Sequence, residues 1–190
     1  MFHIFKHRLK IFMDKLLYKN LEQHTPFEFK EGTGKDSEFY FLKGYASTFG
    51  NVDRVGDIVA KGAFTKSLSE RIPKLLSQHD TDDVAGIVDT CYETDIGLYF
   101  EARMPRDNSL VKDLAPLIKI GALDSISIGF NTTISEWNED TGIRTLKEVE
   151  LWEISIVTFP ANEKAKILNI KKLQEKEINA KVELDEKMID

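Results

Sequence analysis

The sequence predicts a mainly β fold of the α+β class, either an α+β domain or a small barrel with mostly antiparallel strands, with a helical tail at each end. About six or seven segments in the middle of the chain have the alternation, or the β-branched and aromatic content, of short strands, and clusters of Gly, Asn and Asp separate them. Two further segments there have helical spacing. With 190 residues and 42% hydrophobic content, the chain can build one sizeable core but not two complete domains.

Spacing and turn residues place the elements of this middle part in order. Helices are expected at residues 62–71 and 108–122, and Pro116 should bend the second helix or divide it in two. The Gly, Asn and Asp cluster at residues 49–57 is expected to be a turn with no catalytic step. The last two strands are expected to form a long hairpin, because the turn-like EDTG separates them. The predicted strands are residues 37–48, 73–80, 84–93, 98–105, 123–138 and 143–160.

The two ends of the chain differ from the middle in charge. Residues 1–24 form a basic amphipathic leader, in which the first twenty residues carry five basic side chains against one acid. A helix packed on its own domain, a docking or removable leader, and a membrane-surface helix are all open interpretations. Residues 169–190 are expected to be a charged helical or frayed tail. The domain proper is therefore predicted at residues 25–168.

Composition excludes several classes of function. Residues 21–162 carry a net charge of about −10, which argues against nucleic acid as their partner. The single cysteine, Cys91, cannot form an internal disulfide, and no Cys/His cluster has zinc-ligand spacing, so no metal site is expected. No run of 18 apolar residues occurs. We therefore expect a soluble, intracellular protein without a signal peptide or a membrane partner.

The stretch SISIGF, at the start of the predicted hairpin, divides its residues unequally between two faces. With a period of two, the apolar face takes Ile126, Ile128 and Phe130. The opposite face takes Ser125, Ser127 and Gly129. That second face is either an ordinary solvent face or a site, and a glycine beside Ser127 would let a substrate backbone approach closely.

The second arm of the hairpin has the same division. Alternation places on its core face the residues Trp152, Ile154 and Ile156. Glu153 and Ser155 fall on the other face. A carboxylate between two apolar positions must point out of the core or be paired, because burial of a lone carboxylate is costly. If the two arms pair, Ser127 and Glu153 share a face.

His79 is the only histidine after the leader at residues 1–24, and it lies where a predicted strand ends at an acidic loop. A serine becomes an effective nucleophile when a base removes its proton, and an imidazole base needs an acceptor that holds its tautomer. His79, Ser127 and Glu153 could supply these three groups. From the residues alone, a half-exposed hairpin and a surface histidine explain the same pattern.

Four ordered motifs carry a resemblance to a known family: GYASTFGNVDRVGDIVAKGAF, LLSQHD, GALDSISIGF and LWEISIVTFPAN. Over roughly residues 38–168 the chain resembles the prohead maturation proteases of tailed bacteriophages, serine peptidases related in fold to the herpesvirus assembly protease. The resemblance implies a closed or nearly closed antiparallel barrel flanked by helices. It implies His79 as the catalytic histidine and Ser127, immediately before IGF, as the nucleophile, with Ser125 as the competing serine.

The third catalytic group follows less directly from the resemblance. Herpesvirus relatives use a second histidine there, and no histidine follows His79 in this chain. Glu153 is the expected substitute, with Ser155 and Asp80 as alternatives. Asp80 adjoins the histidine, so on a strand its side chain would point the opposite way.

The same resemblance implies an endopeptidase that cleaves the scaffold or the scaffold-like segment of the major capsid protein, and its own ends, inside the immature capsid in the host cytoplasm. The portal-associated interior of the procapsid and further copies of the chain are additional candidate partners. A non-enzymatic assembly or scaffolding component with the same barrel is the alternative, and a host-encoded hydrolase with the same three groups is a weaker one.

Overall fold

The computed structural model describes residues 28–165. The predicted leader at 1–24 and the predicted tail at 169–190 lie outside the described residues. Within the described part, the chain forms eight strands, two α-helices and one short 3₁₀ helix. This composition confirms the mainly β, α+β class. Neither helix in this part is long and apolar enough to cross a membrane.

The elements follow the order that the sequence predicts, with an additional short strand at each of two positions, before the first predicted strand and after the turn at 49–57. The helices are α1 (Thr65–Glu70) and α2 (Ser109–Lys119), and the 3₁₀ helix is Gly34–Asp36. The strands are β1 (Glu28–Glu31), β2 (Phe39–Thr48), β3 (Asp57–Val59), β4 (Lys74–Ser77), β5 (Asp80–Glu93), β6 (Gly97–Pro105), β7 (Ser125–Asn138) and β8 (Ile143–Val157).

One sheet contains all eight strands, and β8 is its branching point. The hydrogen-bonded order is β1-β2-β6-β5-β4-β8-β3, and β7 also pairs with β8. The β7–β8 hairpin is antiparallel as predicted, whereas β3 and β4 pair with β8 in parallel. Parallel pairing is possible here because long connections separate those strands from β8 along the chain.

The two ends of the sheet approach each other through a short segment after β8 rather than through a ladder. Within residues 28–165 no strand pairing joins β7 to β1 or β2, so the sheet is not closed by continuous hydrogen bonding. The Asn162 side-chain amide donates to the Thr48 carbonyl at 3.3 Å, and the Ile126 amide donates to the Ala165 carbonyl at 2.9 Å. This segment therefore contacts both the end of β2 and the start of β7.

A single core lies between the inner face of the sheet and the two helices. Its largest fully buried side chains include Leu42, Leu75, Phe100, Met104, Leu151, Ile154 and Ile156 from the strands and Phe64 and Val111 from the helical segments. Asn108 caps α2 by accepting from the Val111 amide at 3.3 Å. α2 continues through Pro116, so of the two expected effects of the proline, a bend or a division, the division does not occur. Buried Leu114, Ala115 and Ile118 keep the helix docked on both sides of the proline.

Strand β8 departs from strict alternation at Trp152. The sequence predicts Trp152 on the core face, but its side chain is 47% exposed while Leu151 and Ile154 are fully buried. The pairing with β7 steps from Phe130–Leu151 to Gly129–Glu153, so Trp152 is an extra residue in β8, a β-bulge. The prediction for Trp152 is wrong because a bulge shifts the alternation by one residue, and Arg71 covers the displaced ring at 4.0 Å from its centroid.

Candidate active site

His79 lies on a two-residue turn between β4 and β5. Ser77 pairs with Asp80, and the two loop residues, Gln78 and His79, have φ angles of 54° and 62°. Both angles are in the left-handed region, which costs of order 1–3 kcal/mol per non-glycine residue and persists only where the surroundings enforce it. The Gln78 amide donates to the Ile156 carbonyl at 2.9 Å, so β8 holds the turn in place.

A carboxylate from β8 binds the imidazole. His79 Nδ1 is 2.6 Å from Glu153 Oε1, and the Glu153 side chain is largely buried whereas the histidine ring is about half exposed. A carboxylate oxygen accepts, so Nδ1 carries the proton and Nε2 is left as the basic nitrogen. The hydrogen bond to Glu153 raises the pKa of His79 above its ordinary value, against the opposing effect of burial. The contact with Glu153 therefore fixes the tautomer of the imidazole and stabilises its protonated form.

Ser155 is hydrogen-bonded to both Glu153 and His79. Its hydroxyl donates to Glu153 Oε2 at 2.5 Å and accepts the backbone amide of His79 at 3.1 Å. Ser155 is fully buried. The sequence suggests Ser155 only as a substitute for Glu153, but the structure brings both residues to His79. Their spacing of two on one strand is the signal that places them on one face.

Ser127 lies on β7 directly across from this network. Its Cα pairs with that of Ser155, and the next pair on the same face is Gly129 with Glu153. Opposed residues of antiparallel strands are about 4.5–5.5 Å apart, so Ser127 is adjacent to the hydrogen-bonded group. Ser127 is 7% exposed, and its hydroxyl makes no hydrogen bond to any residue in the range 28–165. Serine–histidine bonds of this kind often tighten only when substrate binds.

Gly129 has a different role from the one that the sequence suggests. A Cβ built at this position would be 2.1 Å from Glu153 Oε1 and 2.8 Å from the carboxyl carbon. The space beside Ser127 is therefore taken by the Glu153 carboxylate and is not open to a substrate backbone. The sequence gives no sign of this, because it depends on which residue of β8 is opposite Gly129.

The competing residues are not in the network. Ser125 is 2% exposed, and its hydroxyl donates to Asp124 Oδ1 at 2.8 Å. Asp80 is exposed at the start of β5 and accepts the Asp82 amide at 2.9 Å. Neither contacts His79 in the hydrogen-bonded group described above.

The conspicuous Asp-rich loop before β3 is structural, as its composition predicts. Asp53 Oδ1 accepts the amides of Val55 and Asp57 at 3.0 and 2.8 Å, which closes the turn. Buried Asp57 forms an ion pair with Arg144 of β8 through two hydrogen bonds of 2.8 and 2.5 Å. This pair joins β3 to the distal part of β8.

Other chemically reactive groups are few in the described part. Between residues 28 and 165, no group of three or more His, Cys, Asp and Glu side chains is arranged to hold a metal ion. Burial raises the pKa of the Cys91 thiol to about 12, which leaves little thiolate at neutral pH. The His79–Glu153 pair with Ser127 is thus the one arrangement described here that has the parts of a nucleophilic site.

A mainly β domain with a histidine–carboxylate pair and a serine on the neighbouring strand has the framework of a serine hydrolase. The model of the caudovirus prohead serine protease family matches residues 26–180. The chain belongs to that family.

Individual relatives agree with the family match. The prohead protease of Enterobacteria phage HK97 is 34% identical over 144 residues, which cover 74% of this chain and 63% of that protein. The prohead protease of Escherichia phage T5 is 33% identical over 140 residues, which cover 72% of this chain and 62% of that protein. The matched part is thus less than two thirds of the length of either relative.

One solved structure shows the same fold. The bacteriophage T4 capsid assembly protease superposes with a TM-score of 0.57 at 18% sequence identity, over 71% of this chain and 93% of that one. At this identity the similarity supports the fold alone.

Proposed function

We propose that this chain is a serine endopeptidase that acts in procapsid maturation. The observation that carries the proposal is the 2.6 Å contact between His79 Nδ1 and Glu153 Oε1, next to Ser127 on the paired strand. In the proposed mechanism Ser127 Oγ attacks the scissile carbonyl while His79 Nε2 takes its proton, and His79 then protonates the leaving amine. Water repeats the sequence on the acyl-enzyme. Glu153 orients the imidazole and stabilises its charge, and the mechanism needs no cofactor.

We propose the scaffold and the major capsid protein as substrates, inside the immature capsid in the host cytoplasm. The support is the family and its two curated relatives, both described as prohead proteases. Self-cleavage of the chain ends, contacts with the portal-associated interior and assembly with further copies belong to the same proposal. So do the domain limits of 25–168 and the closed barrel, for which the contacts of residues 162–165 with β2 and β7 are the support.

Co-expression with the major capsid protein that we propose as the substrate tests the proposal. The unmodified chain should shorten the capsid protein, and Ser127→Ala should abolish the cleavage because no nucleophile remains. Ser125→Ala is the matched control: it removes a buried serine two residues away on the same strand face, and cleavage should continue. Processing that continues with Ser127→Ala would refute the assignment and favour the non-enzymatic assembly role.

A further inference from the structure

The Ser155 hydroxyl makes two hydrogen bonds within the site, one as a donor and one as an acceptor. A serine hydroxyl has one proton to donate, and in Ser155 that proton goes to Glu153 Oε2 at 2.5 Å. The oxygen also accepts the His79 amide at 3.1 Å. Since the residue is fully buried, Ser155 cannot reach a substrate. It is neither a nucleophile nor a replacement for the carboxylate.

We propose that Ser155 is a positioning residue that holds Glu153 and His79 as one unit. This inference rests on the proposed function and adds a fourth member to its site. Glu153 Oε1 binds the imidazole, and Oε2 binds Ser155, so the carboxylate is held at both oxygens and cannot rotate away from His79.

The second contact of Ser155 acts on the histidine backbone. His79 has a φ of 62° in a turn that contains neither glycine nor asparagine, so the conformation needs support from outside the turn. Two amides supply it: the His79 amide binds Ser155 Oγ, and the Gln78 amide binds the Ile156 carbonyl. Ser155 therefore sets the position of the imidazole through its backbone and the orientation of the imidazole through Glu153.

A fluorophosphonate probe measures this role without knowledge of the natural substrate. Ser127 Oγ bonds to phosphorus, fluoride leaves, and the Oγ proton passes to His79, so the labelling rate reports the reactivity of the serine–histidine pair. In the unmodified chain, mass spectrometry should find the label on Ser127, with a rate that rises with pH through the pKa of His79. Absence of label on the unmodified chain, or label retained in Ser127→Ala, would overturn the proposed function itself.

Ser155→Ala should lower the labelling rate about 10- to 100-fold, since a carboxylate and an imidazole displaced by about 1 Å lose that much reactivity. The midpoint of the pH profile should also move to lower pH, because the contact with Glu153 is what raises the pKa of His79. Ser155→Thr keeps a hydroxyl and should restore part of the rate and the original midpoint.

Ser77→Ala is the matched control: Ser77 is also buried and precedes the same turn, but its hydroxyl makes no hydrogen bond with the described residues. A purely structural role for Ser155 predicts a loss that follows the folded fraction, with the midpoint unchanged, and that result would overturn the inference. Labelling of Ser155→Ala at the unmodified rate would do the same. If the alanine variant does not fold, the nearly isosteric Ser155→Cys decides, because its thiol is a weak donor and should shift the midpoint in the same direction.

Discussion

Replacement of Gly129 by alanine should damage the site while leaving the fold intact. The new Cβ would be 2.1 Å from Glu153 Oε1, whereas real Cβ contacts are essentially never below 3.0 Å. The carboxylate must therefore move by about 1 Å, which lengthens its 2.6 Å contact with His79 beyond the roughly 3.2 Å limit of a hydrogen bond. A displacement of this size costs up to about 10²-fold in rate.

Fluorophosphonate labelling measures that loss, and nuclear magnetic resonance titration of the His79 ring should show its pKa falling towards the ordinary value of about 6.5. The variant should still unfold cooperatively, because the clashing atoms belong to one side chain and not to the backbone. The loss of the Glu153 contacts is partly offset by the lower entropy of the unfolded chain after Gly→Ala, which is worth about 0.4–1 kcal/mol. Thr132→Ala, at an exposed position on the same strand, is the control. A fully active Gly129→Ala protein with an unchanged His79 pKa would show that Gly129 does not accommodate the carboxylate.

Two further predictions concern charge. Because the pKa of His79 is raised in the folded state, protonated His79 stabilises the fold below the unfolded-state pKa of about 6.5. This stabilisation is lost as the pH rises through the folded-state pKa. Glu153→Gln should remove this part of the pH dependence of the free energy of unfolding, measured from about pH 5 to 8. Arg144→Met should lower the free energy of unfolding by about 3 kcal/mol, because buried Asp57 loses its partner. Lys61→Ala, which removes an exposed ion pair, should leave the free energy of unfolding nearly unchanged in the same denaturant titration.

Each of these two predictions has a result that would contradict it. The same slope of stability against pH in Glu153→Gln and the unmodified chain would mean that Glu153 does not raise the His79 pKa. Equal losses for Arg144→Met and Lys61→Ala would mean that solvent screens the Asp57–Arg144 pair as fully as an exposed one. The His79 pKa should be the same in both lysine and arginine variants, since neither residue contacts the ring.

The parts of the fold that the sequence predicts are those with local signals. Period-two patterning locates the β7–β8 hairpin and puts Ser127 and Glu153 on one face, and elimination alone singles out His79. The parallel pairing of β4 with β8 brings the histidine to the carboxylate, and no local pattern encodes a contact between segments so far apart. The candidate site could therefore be assembled from residue types before its geometry was known.

Other features were hidden because they depend on exceptions to local rules. The turn that carries His79 lacks the Asn-Gly signature of its geometry, since its conformation is enforced by bonds to Ser155 and Ile156 rather than by its own residues. The bulge at Trp152 also has no sequence signal, because a tryptophan between a leucine and a glutamate is compatible with regular alternation. The true reason for Gly129 follows only from knowing its partner across the hairpin.

The bulge at Trp152 makes the residue count of β8 as important as its residue types. Leu151 and Ile154 are both buried in the core although two residues separate them. The alternation of inward and outward side chains is therefore shifted by one residue at Trp152. Deletion of Trp152 would remove this shift. Either Leu151 would then leave the core, or the Glu153 side chain would point into the core. Substitution of Trp152 leaves the number of residues in β8 unchanged and should keep both faces in place. Insertions or deletions should be tolerated only in the exposed turn of the hairpin, around residues 139–142. The position of the Glu153 carboxylate therefore depends on the number of residues in β8 as well as on its hydrogen bonds.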